Sequence, residues 1–310
     1  MPGSRSLLVL ANAAAGSADD AAVAAALGVL RAGAEIEVVV PDGPEDTLEA
    51  VSRAAGREIV VLGGDGSVHG CLDALVRLRL LVEAGPVSVV PLGTGNDLAR
   101  GLGLPQDPEE AALVALQGVP RPMDLLRDDV GGVVVNVVHA GVGAEATAGA
   151  ENVKGPLGTA GYAIGAIRAG VSATGWCMRV MVDGEVVHDG GERLLMVTVG
   201  LGPTIGGGAR AVPQATIGNG MADVVLSAAT GPLARAAFAL QLRRGHHLRR
   251  KDVRAVRGRT VTIEAVDGDN AFRVNADGEV AGPVTSRTWE VLPHAWSCRV
   301  PAAAGLTAGR

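Results

Sequence analysis

A chain of 310 residues with 48% hydrophobic content can bury large cores, and its length suits two domains better than one. The net charge of −6, the pI near 5.6 and an aromatic set of three Trp, one Tyr and two Phe argue against a nucleic-acid-binding protein. Cys71, Cys177 and Cys298 are odd in number and far apart, which suits a reducing cytoplasm and speaks against a disulfide framework or a zinc site.

The first apolar run, Leu7 to Leu10, leads into Ala-Asn-Ala-Ala-Ala15 and superficially resembles a short signal peptide. It reads better as a buried strand ending at Asn12, with Gly16-Ser17 as a turn before an Ala-rich helix over 18–32. Strands are then expected near 6–10, 35–40, 58–62 and 87–91, with helices near 18–32, 45–55, 67–83 and 107–117. Such alternation implies a doubly wound parallel sheet with helices on both faces and ligands at the carboxyl ends of the strands. No run of 18 apolar residues escapes charges or glycine breaks, so no membrane-spanning helix is expected.

Two glycine loops lie where such a sheet binds ligands. Gly63-Gly64-Asp65-Gly66-Ser67 follows the strand Glu58–Leu62 and precedes a helix-like run from Val68. Pro91-Leu92-Gly93-Thr94-Gly95-Asn96-Asp97 follows the next strand, with Asn96 or Asp97 as the cap of a helix beginning at Leu98. Helix N-termini attract anions, and glycine lets the main chain approach phosphate oxygens, so two adjacent loops suggest a polyphosphate ligand. Neither ends in the Lys-Ser/Thr of a Walker A loop. The third glycine of a dinucleotide fingerprint would fall where His69 stands. Asp65 inside a phosphate loop needs compensation by magnesium or by a hydrogen-bonding network, which favours a metal–nucleotide complex.

After Pro120-Arg-Pro122 the pattern shifts to shorter β-rich runs with turn signals at Asp128–Gly132, Val182–Glu185 and Asp267–Asp269. Helix-like stretches interrupt these runs at 144–169 and 231–244. An α/β domain is therefore expected over 1–122, and a mostly antiparallel β-rich domain over 123–289.

The two glycine loops together resemble those of the diacylglycerol kinase catalytic domain family, which includes bacterial lipid kinases and sphingosine kinases. Val274-Asn-Ala-Asp277-Gly278-Glu279 resembles that family's late Asp-Gly-Glu turn, and the likeness covers nearly the whole chain. The resemblance implies an NAD kinase-like α/β domain, an antiparallel sandwich carrying the lipid contacts, and a last segment, 290–305, that returns to the first domain. It implies phosphoryl transfer from ATP with Mg2+ to a lipid hydroxyl. By the same likeness Asp277 becomes the base, with Glu279 sharing its site from the same strand. Asn12 stands in the family's Asn-Pro-x-x-Gly loop, where Gly16 matches and Ala13 replaces the proline. Gly63, Gly64, Asp65, Gly66 and Ser67 are assigned to the phosphates and their metal, and Gly93, Thr94, Gly95, Asn96 and Asp97 to the neighbouring wall, Asp97 equally readable as a helix cap.

Departures from the family pattern bear on activity. Gly70 stands where the family usually has glutamate, and glycine inside a helix costs about 1 kcal/mol relative to alanine. Asn219 replaces the aspartate that the family uses at a structural magnesium, and Asp223 matches a later acidic position, so Asp65, Asn219 and Asp223 are the candidate metal ligands. The basic segment Arg243–Arg259 could hold the protein to an anionic membrane at the inner face, or be a solvated hairpin face. Three functional readings follow: a kinase for diacylglycerol or a related lipid alcohol, a kinase for a sphingoid or other acceptor on the same fold, and a degenerate nucleotide- or lipid-binding protein without turnover. Oligomeric state is not legible.

Overall fold

The computed structural model describes residues 5–12, 17–54, 56–151, 175–266 and 271–302. The expected loop at Ala13 and Gly16, the turn at 267–269 and most of the helix-like stretch 144–169 lie outside them. The chain forms two compact units, Met1–Asp124 with Pro293–Arg310, and Leu125–Leu292. The boundaries fall inside two strands, β5 and β16 below.

The first unit alternates β1 (Ser6–Ala11), α1 (Ser17–Gly33), β2 (Glu35–Val39), α2 (Pro44–Ser52), β3 (Glu58–Gly63), α3 (Asp65–Arg77), β4 (Val87–Pro91), α4 (Asp97–Gly101) and α5 (Pro108–Gln117). All strand pairs are parallel, in the order β2-β1-β3-β4. β1 and β3 are apolar nearly throughout because helices cover both faces of the sheet. Leu7, Val9, Val60, Leu62 and Val90 pack with Leu27 and Leu30 of α1 and Ala111, Ala112 and Ala115 of α5. The order reverses between β1 and β3, and the carboxyl ends at this switch carry Asn12 and Gly63.

Glu58, at the start of β3, ties the last strand to this sheet. Arg299 donates to both of its carboxylate oxygens, at 2.7 and 2.8 Å, and Arg5 pairs with it from the other side. Burial alone would raise the Glu58 pKa, but the bonds and charges of Arg299 and Arg5 outweigh it and the net shift is downward.

The second unit is an antiparallel β-sandwich. Its strands are β5 (Val119–Asp128), β6 (Val133–Val134), β7 (Val137–Gly141), β8 (Met178–Val182), β9 (Glu185–His188), β10 (Met196–Gly200), β11 (Ala222–Ser227), β12 (Val253–Gly258), β13 (Thr260–Ala265), β14 (Phe272–Ala276), β15 (Glu279–Val284) and β16 (Ser286–Val300). One sheet runs β12-β11-β10-β7-β14-β15 and the other β6-β5-β16-β13-β8-β9. Alternate residues of the two sheets, among them Val138, Val197, Val199, Val224, Phe272, Val180, Ile263 and Trp289, form the core between them. Helices α6 (Val142–Glu151) and α7 (Pro232–Leu242) interrupt the strands. No helix among the described residues is long and apolar enough to cross a membrane.

Candidate functional site

Helix α3 begins at Asp65, three residues earlier than the apolar pattern suggests. Gly64 is its N-cap, in extended conformation, and its carbonyl accepts from Ser67 N at 3.0 Å and Val68 N at 3.2 Å. Asp65, Gly66 and Ser67 therefore belong to the first helical turn, whose earliest N–H groups precede any i−4 acceptor, although that of Ser67 is already taken by the Gly64 carbonyl. Nothing lies within 4 Å of where a Cβ on Gly66 would stand, so the approach to that turn is open.

The two glycine loops touch through their main chains. A Cβ built on Gly93 would stand 2.5 Å from the Gly64 Cα, and one built on Gly64 would stand 3.1 Å from the Gly93 Cα. Neither obstacle is a side chain that could swing aside, so the contact requires glycine at 93 and leaves a side chain at 64 tightly pressed. Leu92 N donates to the Gly63 carbonyl at 3.0 Å and carries the β3–β4 pairing into the loops. Gly63 is hemmed in by the Ser67 side chain and, at 3.6 Å, the Asn12 Cβ.

Asp65 and Asn96 exchange the roles that local sequence suggests. Asn96 occupies the N-cap position of α4 in the left-handed conformation, with φ +50°, but makes no side-chain cap bond. Its amide closes the preceding turn instead, Oδ1 accepting from Gly93 N at 2.9 Å and Nδ2 donating to the Gly93 carbonyl at 2.7 Å. The cap of α4 comes from Asp65, whose Oδ2 accepts from Asp97 N at 3.0 Å and Oδ1 from Leu98 N at 3.1 Å. The hydrogen-bonding network foreseen as one way to compensate Asp65 is thus present, and it is the amino end of α4. Asn12, Gly63, Gly64, Asp65, Gly66, Ser67, Gly93, Thr94, Gly95, Asn96 and Asp97 all stand at the carboxyl ends of β1, β3 and β4.

In the second unit Asp277 and Gly278 form the turn between β14 and β15, both with positive φ, at +50° and +103°. Because Asp277 sits in the turn, the strand alternation invoked to put Glu279 beside it does not apply; Glu279 opens β15 and is exposed. The Asp277 carboxylate gathers three backbone donors from the β6–β7 junction. Oδ2 accepts from Val135 N at 2.6 Å, and Oδ1 accepts from Asn136 N and Val137 N, both at 3.0 Å. Asp183 performs a related task in the β8–β9 turn, its Oδ1 accepting from Arg259 N and Thr260 N at 2.8 Å. Sequence reasoning also passed over His139, which lies in an apolar run and faces Thr198 and Asn275 in register across three neighbouring strands. All three are buried, and burial lowers the His139 pKa to about 4.

Three comparisons bear on identity. Residues 6–127 match the diacylglycerol kinase catalytic domain, and residues 136–299 match the YegS C-terminal NAD kinase beta sandwich-like domain. The chain belongs to the YegS-like lipid kinase family. A protein of Pseudomonas aeruginosa described as "Probable lipid kinase YegS-like" is 32% identical over 308 residues, 97% of this chain and 95% of that one. One of Stenotrophomonas maltophilia with the same description is 28% identical over 285 residues, 89% of each. The crystal structure of a diacylglycerol kinase from Bacillus anthracis superposes with a TM-score of 0.73 at 19% identity, covering 98% of this chain and all of that one, and so shares the fold.

For a YegS-like lipid kinase the family implies ATP and a divalent metal, and the residues present suit the two groups unequally. The glycine cradle fits phosphate, with close main-chain approach and an open first helical turn. The candidate metal ligands already make bonds within the protein. Both Asp65 oxygens bind α4, Asn219 Oδ1 accepts from Met221 N at 3.0 Å, and the Asp223 carboxylate receives Arg257 Nε and the Nη2 nitrogen at 2.9 to 3.1 Å. Among the described residues no group of three or more His, Cys, Asp or Glu is placed to hold a metal. In the structure the Asp223 charge is balanced by the Arg257 guanidinium.

Proposed function

We propose that this YegS-like lipid kinase transfers the γ-phosphoryl group of ATP to the hydroxyl of diacylglycerol or a related lipid alcohol. The observation that carries the reading is the main-chain contact of Gly64 with Gly93, which brings two helix-start loops together at the carboxyl ends of β3 and β4. There the backbone of Gly64 and Gly66 and the hydroxyl of Ser67, with Gly93, Thr94 and Gly95 as the wall, would hold the phosphates, and ATP would supply the transferred group. Preorganised N–H groups stabilise the charge that develops in such a transfer without reorganising as it proceeds. The oxygens named for magnesium also bond within the protein, so Asp65 would join the two glycine loops whether or not it meets the metal.

Asp277 is proposed as the group that accepts the proton of the attacking hydroxyl. Its three backbone bonds favour a second reading, in which it is a clamp that fixes the β6–β7 junction, as Asp183 fixes the start of β13. A general base is worth roughly 100- to 10,000-fold in rate. Asp277→Asn should therefore lose that much turnover per folded molecule with nucleotide binding retained, whereas a pure clamp loses stability and keeps its turnover.

The direct test measures ADP release from ATP with diacylglycerol, sphingoid bases and simple lipid alcohols in mixed micelles, with and without magnesium. Lipid-stimulated release is expected, strongest with a glycerolipid. ATP binding without stimulated release by any lipid would replace the proposal with a nucleotide-binding protein that does not turn over.

A further inference from the structure

Residues 224–251 contain no aspartate or glutamate but carry Arg235, Arg243, Arg244, Arg249, Arg250 and Lys251, in a protein of net charge −6. The structure divides the basic segment into two kinds. Arg250 is paired with Asp252, Arg257 with Asp223, and Arg254 donates to the Val187 carbonyl at 2.6 Å. Those three serve the fold. Arg243, Arg244, Arg249 and Lys251 are exposed and form no ion pair with a described residue.

These exposed cations follow an unusual helix. On α7, Ala234, Phe238 and Leu242 pack inward, Phe238 against the edge of the His247 ring at 5.5 Å between centroids. The opposite face carries Leu233, 88% exposed, and Leu240, 73% exposed, one heptad apart, with Ala236 also exposed between them. Arg243, at the C-cap, and Arg244, in the turn that follows, come directly after this face in the chain and are both exposed. Two large apolar side chains in water, followed by arginines that form no ion pair with a described residue, form a surface suited to a boundary that is apolar inside and anionic outside.

We infer that the outer face of α7, with the turn that follows it, docks onto an anionic lipid leaflet. Leu233 and Leu240 enter the acyl boundary, while Arg243, Arg244 and Arg249 meet lipid phosphates at the headgroup level. The helix lies in the interface and does not span it, being 11 residues long. The inference extends the lipid-kinase reading but does not depend on it, because the surface would bind leaflets that hold no substrate.

Vesicle sedimentation of the full chain, without ATP, tests it. Phosphatidylcholine vesicles with and without phosphatidylglycerol are compared over a salt series. Preference for the anionic vesicles, weakening as salt rises, is expected. Arg243→Ala with Arg244→Ala should weaken that binding by on the order of tenfold or more and flatten its salt dependence. Leu233→Ser with Leu240→Ser should weaken it by on the order of tenfold while leaving the salt dependence intact. Both pairs are solvent-facing, so unfolding temperatures should match that of the natural protein. Equal binding to neutral and anionic vesicles overturns the inference. So does wild-type affinity in both variants, or a larger loss in Arg259→Ala, on the sandwich edge, than in the α7 variants. Micellar substrate turnover, measured separately, reports on the kinase reading alone.

Discussion

Replacing Asp277 by asparagine isolates the carboxylate from its backbone, because asparagine accepts the left-handed φ of +50° as readily as aspartate does. The amide oxygen can keep the two donors that Oδ1 now serves, Asn136 N and Val137 N. The amide nitrogen must then face Val135 N, a donor held at 2.6 Å from Oδ2 on a residue only 3% exposed. A buried donor left without an acceptor costs about 1–3 kcal/mol, and loss of the charge on the other two bonds adds about 1 kcal/mol. For a unit of this size about 2–4 kcal/mol corresponds to a fall in Tm of roughly 5–15 °C. Asp183→Asn is the internal control. Asp183 serves both of its donors through one oxygen, which an amide reproduces, so its cost should stay near 1 kcal/mol or less. Differential scanning calorimetry on the two variants decides the matter. A fall below about 2 °C for Asp277→Asn, or equal falls at the two positions, would refute the reasoning that the second oxygen makes the difference.

Gly93→Ala should disrupt the phosphate cradle, since the new Cβ would meet main chain at 2.5 Å and the Asn96 Oδ1 at 2.9 Å. Overpacking of this kind costs about 1–3 kcal/mol, and calorimetric titration should show nucleotide affinity falling at least tenfold; unchanged affinity would mean that the loops tolerate separation. Acid should destabilise the sandwich through His139. Its folded pKa of about 4 lies below the ordinary value of 6.5, so the unfolded chain takes up a proton that the folded chain refuses, and stability is lost as pH falls from 6.5 toward 4. The loss amounts to about 3 kcal/mol, and urea unfolding of His139→Gln should show a flatter profile over that window; identical profiles would exclude His139 as the source.

The α/β unit was legible because its signals are local. Apolar strands and glycine punctuation place β1, β3, β4, α1 and α5 within a residue or two of where they stand. What sequence could not show is every role that spans distance. Asp65 lies 32 residues from the helix it caps, and without that contact Val68 looks like the first helical residue. Asp277 meets donors 140 residues earlier in the chain, so a turn aspartate and a β-sheet clamp look alike on paper. Asp223 stands 34 residues from Arg257, which pairs with it from the next strand, a partner that spacing does not reveal. The basic segment looks uniform in sequence because nothing there tells which arginines have partners and which leucines of α7 face water.

The meeting of Gly64 and Gly93 also constrains how this family can drift. Gly93 cannot accept a side chain while Gly64 keeps its place, so change there would have to come with movement of the first loop, which also carries the aspartate that caps α4. Positions in both loops thus behave as one heritable unit. Nucleotide affinity built on such a unit is spared the cost of ordering loops at binding, because that entropy was spent when the sheet formed. Selection for a new acceptor could then rework the sandwich freely, leaving the donor side of the reaction untouched.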